Sequence, residues 1–358
     1  MIRKPRVFII YKKYGLGGYY VSLVDQYLQK YGIKPIIQPA LSINHLIKTR
    51  PKDCIHIQFP EELYKRSFPL LLIIKALWTT FLLLFLYSRG VKLIWTLHDD
   101  KPHESKLSIV DSLFRYILFK VCSTIFVHNN YARQIALSKG TSSNVVLVPH
   151  GNFIRWFPNH KNLTKKSARK YLGVPNKNFV YLFFGRIREY KGVFSLISNF
   201  KKLSFKNVTL IIAGVPAGKD WDIVNTTKLI LREIGNDNRI VPRLEWIPID
   251  QVEYYFKAAD IVVLPFKWIT TSGSLIASLS FGKPVIVPSL GGIPELIDAN
   301  LGILYNPNKA NSLLNALKRS RKLNLRQLSK NAFNKAKSLS WDEYVKETIK
   351  IYRAGPKS

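Results

Sequence analysis

The feature that most restricts this chain is one repeated pattern: a short apolar run of strand length, a loop, then a longer stretch of helical character. In the first half the runs are Val7–Ile10, Ile33–Gln38, Cys54–Phe59, Val91–Leu97, Thr124–His128 and Val145–Val148. In the second half they are Phe179–Phe184, Val208–Ala213, Ile240–Leu244, Ile261–Leu264 and Val285–Val287, with a short one at Ile303–Tyr305. Strands alternating with helices call for parallel sheets covered by helices on both faces. Such sheets bind ligands outside the carboxyl ends of their strands. A chain of 358 residues suits two such units, since a domain holds roughly 100–200 residues. The polar, basic stretch Asn152–Lys177, with Pro158 and Pro175, reads as the linker. The expected domains are therefore 1–165 and 166–340. The amphipathic stretch Trp341–Arg353 forms a terminal helix within 341–358.

The formal net charge is +33, and both halves are basic. Residues 1–177 hold 28 Lys and Arg against 8 Asp and Glu. Such a field attracts polyanions: nucleic acid, anionic lipid or phosphorylated substrates. The two cysteines, Cys54 and Cys122, lack metal or redox spacing and suggest a reducing compartment. The first apolar run, Val7–Ile10, is too short for a signal peptide. A cytoplasmic protein is expected.

One segment departs from the pattern. Phe68–Tyr87 is apolar but for Lys75, Thr79 and Thr80. Its length fits a membrane span of about 20 residues. Lys75 near its centre would cost roughly 2.5–3.5 kcal/mol on insertion scales. A span would also part Val7–Ile10 from Val91–Leu97, which belong in one sheet. The expected structure is a buried crossover helix. The other reading is a helix lying in the lipid interface, flanked by Lys65, Arg66, Arg89 and Lys92.

The chemistry concentrates at strand ends. In FFGRIREYKG (Phe183–Gly192), Gly185 ends a strand and Gly192 opens the next helix. Arg186 and Lys191 then lie on one strand-to-helix loop, a cradle for a diphosphate. Arg offers bidentate bonds and Lys a point charge. Both would stabilise negative charge building on a departing nucleotide diphosphate. A second loop, Thr270-Thr-Ser-Gly-Ser274, leads into a helix at Ser272 or Gly273. Helix N-termini leave free N–H groups that bind phosphate, although Ser is also a common cap. Gly282-Lys-Pro-Val285 and Gly291-Gly-Ile-Pro-Glu295 follow. In the first half, Gly15-Leu-Gly-Gly18 follows the first strand, and Val91–Leu97 runs into His98-Asp99-Asp100 and Pro102-His103-Glu104. Trp246 reads as core packing after its strand. His56, His128 and His150 read as structural histidines.

Taken together and in order, these motifs resemble the family-4-type glycosyltransferases of bacterial polysaccharide synthesis. These have the GT-B fold: α/β, two Rossmann-like doubly wound domains facing a cleft. The resemblance implies a donor site for a UDP- or GDP-sugar made by Arg186, Lys191, Ser272, Gly273, Ser274 and Glu295. Gly17 and Gly18 would approach the donor from the first domain. It implies His98 at the donor sugar, with Asp99 or Glu104 as base if the enzyme inverts. Asp100 is a further candidate. No metal and no cofactor beyond the donor are implied. The 341–358 segment would cross back onto the first domain.

Many relatives carry two glutamates seven residues apart. The matching positions here are Ile269 and Ala277, so ribose and sugar contacts must come from elsewhere. The expected acceptor is a membrane glycolipid or saccharide. The protein would lie peripherally on the inner face of the plasma membrane, against anionic lipid. The rival readings are a basic nucleic-acid-binding protein and a nucleotide-sugar epimerase on the same fold.

Overall fold

The computed structural model describes residues 5–11, 17–64, 68–100, 108–141, 143–158, 160, 162–218 and 220–354. The chain forms two units, Met1–Gly151 with Ser340–Ser358, and Asn152–Leu339. The first holds β1 (Val7–Ile10), β2 (Ile36–Gln38), β3 (Cys54–Ile57), β4 (Lys92–Leu97), β5 (Thr124–Val127) and β6 (Asn144–Leu147). The second holds β7 (Phe179–Phe184), β8 (Val208–Ala213), β9 (Ile240–Arg243), β10 (Ile261–Val263), β11 (Val285–Pro288) and β12 (Gly302–Tyr305).

All the pairings are parallel, in the orders β2-β1-β3-β4-β5-β6 and β12-β11-β10-β7-β8-β9. Central strands such as β3, β5 and β8 are buried on both faces, which is why they read as unbroken apolar runs. The order reverses between β1 and β3 in one sheet, and between β7 and β10 in the other. Those reversals are the switch points where such sheets place ligands.

The switch between units falls at 151/152, earlier than the expected 165/166. The stretch taken for a linker is folded into the second unit. Phe153 N–H donates to Ser280 Oγ (3.0 Å), and Phe157 packs on Phe281 at 5.1 Å. On the helix Lys165–Leu172, buried Arg169 bonds Asp260 Oδ2 at 2.8 Å. Arg169 and Lys165, both on Asp260, are anchors, which composition alone cannot distinguish from a solvated linker.

The helix Trp341–Arg353 belongs to the first unit. Lys92 Nζ donates to the carbonyls of Ile351 (2.5 Å) and Ala354 (2.8 Å), occupying acceptors a helix end leaves open. Lys30 Nζ and the Tyr31 hydroxyl both donate to Asp342 Oδ1. Gly151 is required beneath Trp341: a Cβ there would lie 2.2 Å from the indole ring.

The helix Pro69–Ser88 joins β3 to β4, neighbours in one sheet. It therefore does not span a bilayer, because β1 and β4 share that sheet. Nor is it a buried crossover. One face, including Leu72, Ala76, Thr79, Leu83 and Leu86, is buried, while the opposite apolar face is exposed. One side of a helix covers a sheet, and nothing among the described residues covers the other.

Candidate active site

In the second unit both phosphate-loop candidates flank the switch point. β7 and β10 are neighbours, so the loops leaving their carboxyl ends open on the same edge of the sheet. The first loop begins at Gly185 (φ +117°). It passes through a short 3₁₀ turn at Glu189–Lys191 and enters the helix Val193–Lys201 through Gly192 (φ +70°). Gly192 is demanded twice. Its φ is left-handed, and a Cβ would lie 2.1 Å from the Pro265 carbonyl oxygen in the loop after β10. Tyr190 packs on Trp268 at 4.6 Å, and Lys267 N–H donates to Tyr190 O at 2.7 Å. The two loops thus hold each other.

The decisive contact is polar. Lys191, only 7% exposed, donates from Nζ to Ser274 Oγ at 3.1 Å. The helix Gly273–Ser280 begins here, capped by Ser272, whose Oγ accepts from Leu275 N–H at 3.2 Å. Ser272 therefore serves as the cap, Gly273 supplies backbone at the first helical position, and Ser274 orients the lysine. Arg186 is half-buried on the same loop. An ammonium, a guanidinium and a helix N-terminus thus lie on one sheet edge, the kinds of group that attract anions.

Glu295 sits on the one-turn helix Ile293–Leu296 after β11 and is exposed. Ile269 and Ala277 are buried apolar positions. Trp246, expected in the core, is 52% exposed in the loop after β9.

In the first unit His98 follows β4. Its Nε2–H donates to Gln58 Oε1 at 3.0 Å. The ring stacks on Phe59 (4.4 Å, 12°) and meets the edge of Tyr20 at 4.9 Å. Gln58 Nε2 donates to His56 Nε2 at 3.2 Å, and His56 Nδ1 donates to the Tyr352 hydroxyl at 2.6 Å. The amide oxygen only accepts and the amide nitrogen only donates, so this chain fixes the proton of His98 on Nε2. Gln58 and Phe59 escaped the sequence reading. The signal was there, a polar residue interrupting an apolar run at the carboxyl end of β3, the same signal that marked His98.

Asp99 is half-buried, and its carbonyl accepts from Arg115 Nη1 at 2.7 Å. Asp100 is half-buried as well. Gly17 and Gly18 open the helix Gly17–Lys30. Gly15, Leu16, His103 and Glu104 lie outside the described residues.

Three further histidines line these strand ends. Burial pushes His56 and His150 down to about 3. Burial likewise takes His128 to about 4, against the attraction of the Asp99 carboxylate. His128 Nδ1 donates to Val148 O (2.8 Å) and His150 Nδ1 to Gly151 O (2.7 Å). All three are neutral, and their hydrogen bonds are structural.

Residues 164–338 match the family described as Glycosyl transferases group 1. This stretch is a group 1 glycosyltransferase domain. It contains both loops joined by Lys191 and Ser274. Over 268 residues, 74% of this chain, the sequence is 26% identical to the GDP-mannose:glycolipid 4-beta-D-mannosyltransferase of Xanthomonas campestris pv. campestris, covering 70% of that protein. Among solved structures it resembles a sucrose-phosphate synthase from Thermosynechococcus elongatus. The TM-score is 0.77 at 16% identity, over 98% of both chains. It also resembles Anabaena Alr3699/HepE in complex with UDP, with TM-score 0.69 at 16% identity, over 97% of this chain and 100% of that one. These likenesses establish the glycosyltransferase's fold as GT-B, two Rossmann-like units.

Proposed function

We propose that this glycosyltransferase moves a hexosyl group from a UDP- or GDP-sugar to a hydroxyl of a membrane glycolipid or polysaccharide intermediate, in exopolysaccharide assembly. The observation that carries the reading is the Lys191 Nζ–Ser274 Oγ bond at the β7/β10 switch point. It joins a basic loop to a helix N-terminus, the two parts of a diphosphate site. The glycolipid acceptor of the Xanthomonas relative supports the acceptor class. The UDP complex of the Anabaena neighbour supports a nucleotide at this fold.

In the reaction, the bond from the anomeric carbon to the donor phosphate oxygen breaks. A bond to the acceptor oxygen forms, and the nucleoside diphosphate leaves with the electron pair. Arg186 and Lys191 meet the charge that develops there, so they stabilise the transition state more than the ground state. We assign this task to the two cations rather than to a chelated metal ion. The acceptor proton goes to a first-unit carboxylate, Asp99 or Glu104, if the sugar inverts. If configuration is retained, it goes to the departing phosphate oxygen. His98, its proton held on Nε2 by Gln58, is the residue we assign to the donor sugar. The work is done on the cytoplasmic face of the plasma membrane, where the basic first unit meets anionic lipid.

The test is transfer of radiolabelled sugar from UDP- and GDP-sugars to a membrane lipid extract. Label should enter the lipid fraction from one donor class. Hydrolysis without transfer, or label from neither class, would contradict the assignment.

A further inference from the structure

The exposed face of the helix Pro69–Ser88 is not used by the donor site or by the core. Leu70, Ile74, Leu77 and Phe81 follow one another at helical spacing along it and are all exposed, Leu77 to 64%. The stripe runs about 16 Å at 1.5 Å per residue. Two helices that pack beside it extend the surface: Ile43–Lys48 contributes Ile47, 73% exposed, and Ser108–Val121 contributes Leu113, 57% exposed. Exposed apolar side chains gathered on packed helices in this way mark an interaction site.

The charges around it identify the partner. None of these three helices carries an exposed carboxylate; the short helix Glu61–Tyr64, which also packs on Pro69–Ser88, brings the half-buried Glu62 and a half-buried Glu61 that is paired with Arg115 at 3.4 Å. Asp111 is the only acid of the three, and it is buried, accepting from the Tyr64 hydroxyl. Lys48 and Arg89 stand exposed where two of the helices end, and the Arg89 guanidinium donates to the Leu46 carbonyl, drawing those ends together. Arg50 and Lys52 follow, also exposed. The patch is thus apolar in the middle and cationic at one rim. A second copy would bring the same cations and no exposed acid on this face. An anionic bilayer supplies both complements: acyl chains below the apolar stripe and phosphates at the rim.

We propose that this face is a monotopic docking surface, lying in the interface of an anionic bilayer with Leu70, Ile74, Leu77 and Phe81 below the headgroups. The proposal rests on the reading of the enzyme as one that works at a membrane, and adds the surface by which it does so. The test is co-sedimentation of the full chain with vesicles of phosphatidylethanolamine and phosphatidylglycerol, against pure phosphatidylcholine. Nucleotide-induced thermal shift serves as a folding control.

Wild type should bind the anionic vesicles. The double variant Leu77→Gln/Phe81→Gln should bind about tenfold more weakly, with its nucleotide shift unchanged. Lys48→Glu/Lys52→Glu should lose the preference for anionic lipid. Wild-type binding that persists in Leu77→Gln/Phe81→Gln overturns the surface and leaves the membrane reading standing. No binding by wild type overturns both. A wild-type dimer that Leu77→Gln/Phe81→Gln converts to monomer, without vesicle binding, assigns the face to self-association instead.

Discussion

Replacing Lys191 by Ala should lower kcat/KM for sugar transfer by about 10²–10³, the usual cost of removing one preorganised group that meets developing charge. Arg186→Ala should cost a similar factor. The chain should still fold, because the apolar core cluster of the second unit is untouched, although Lys191 is itself buried. Ser274→Ala is the informative companion. Its hydroxyl accepts from Lys191 at 3.1 Å, so Ser274→Ala removes this one bond without removing the lysine's charge. A loss near tenfold or below is expected there. The three effects should not add, since the residues act on one diphosphate. Steady-state kinetics on the three variants checks the order. Equal losses for Ser274→Ala and Lys191→Ala would mean that the hydroxyl, rather than the ammonium, meets the donor.

The second large effect is a loss of stability below neutral pH. His56, His128 and His150 take up protons near 6.5 when unfolded, but only near 3 to 4 when folded. Above about 6.5 neither state is protonated and the histidines are neutral to stability. Below it the unfolded state binds protons that the folded state refuses, so stability falls as pH falls. At pH 5 each histidine subtracts about 2 kcal/mol, at 1.36 kcal/mol per pH unit. The urea midpoint, followed by tryptophan fluorescence, should therefore drop steeply from pH 7.5 to 5. Trp341 reports directly, with its ring centroid 5.8 Å from that of His150. His150→Asn should flatten the slope by about a third. A midpoint indifferent to pH over this range would show that the histidines are not sealed from water.

Most of the sheet architecture was legible because parallel strands are buried on both faces and leave uninterrupted apolar runs. β1, β7 and β8 coincide with the runs Val7–Ile10, Phe179–Phe184 and Val208–Ala213. The Trp341–Arg353 helix was legible from its amphipathic period. What failed was any distinction that depends on where an apolar or basic residue points. Composition shows that Pro69–Ser88 is apolar all round, but only the fold shows that one face has no protein against it. The basic stretch 152–177 read as a linker, yet Arg169 is buried on Asp260.

At the proposed donor site, sequence order brought Arg186, Lys191 and Ser274 to strand ends. Their meeting required knowing that β7 and β10 are neighbours, a fact of topology that spacing does not contain. Gln58 carried a local signal as a polar break at the end of β3, but its link to His98 crosses to the end of β4 and shows only in the sheet order.

The central claim is that the second unit holds a nucleoside diphosphate through the Arg186–Lys191 loop. Titration calorimetry of UDP and GDP against wild type and Arg186→Ala/Lys191→Ala tests it most directly. One nucleotide should bind wild type, and should bind the double variant at least about 100-fold more weakly, since each charge-assisted bond contributes about 1.5–3 kcal/mol. Equal affinity for both proteins, or no binding of either nucleotide to wild type, would contradict it.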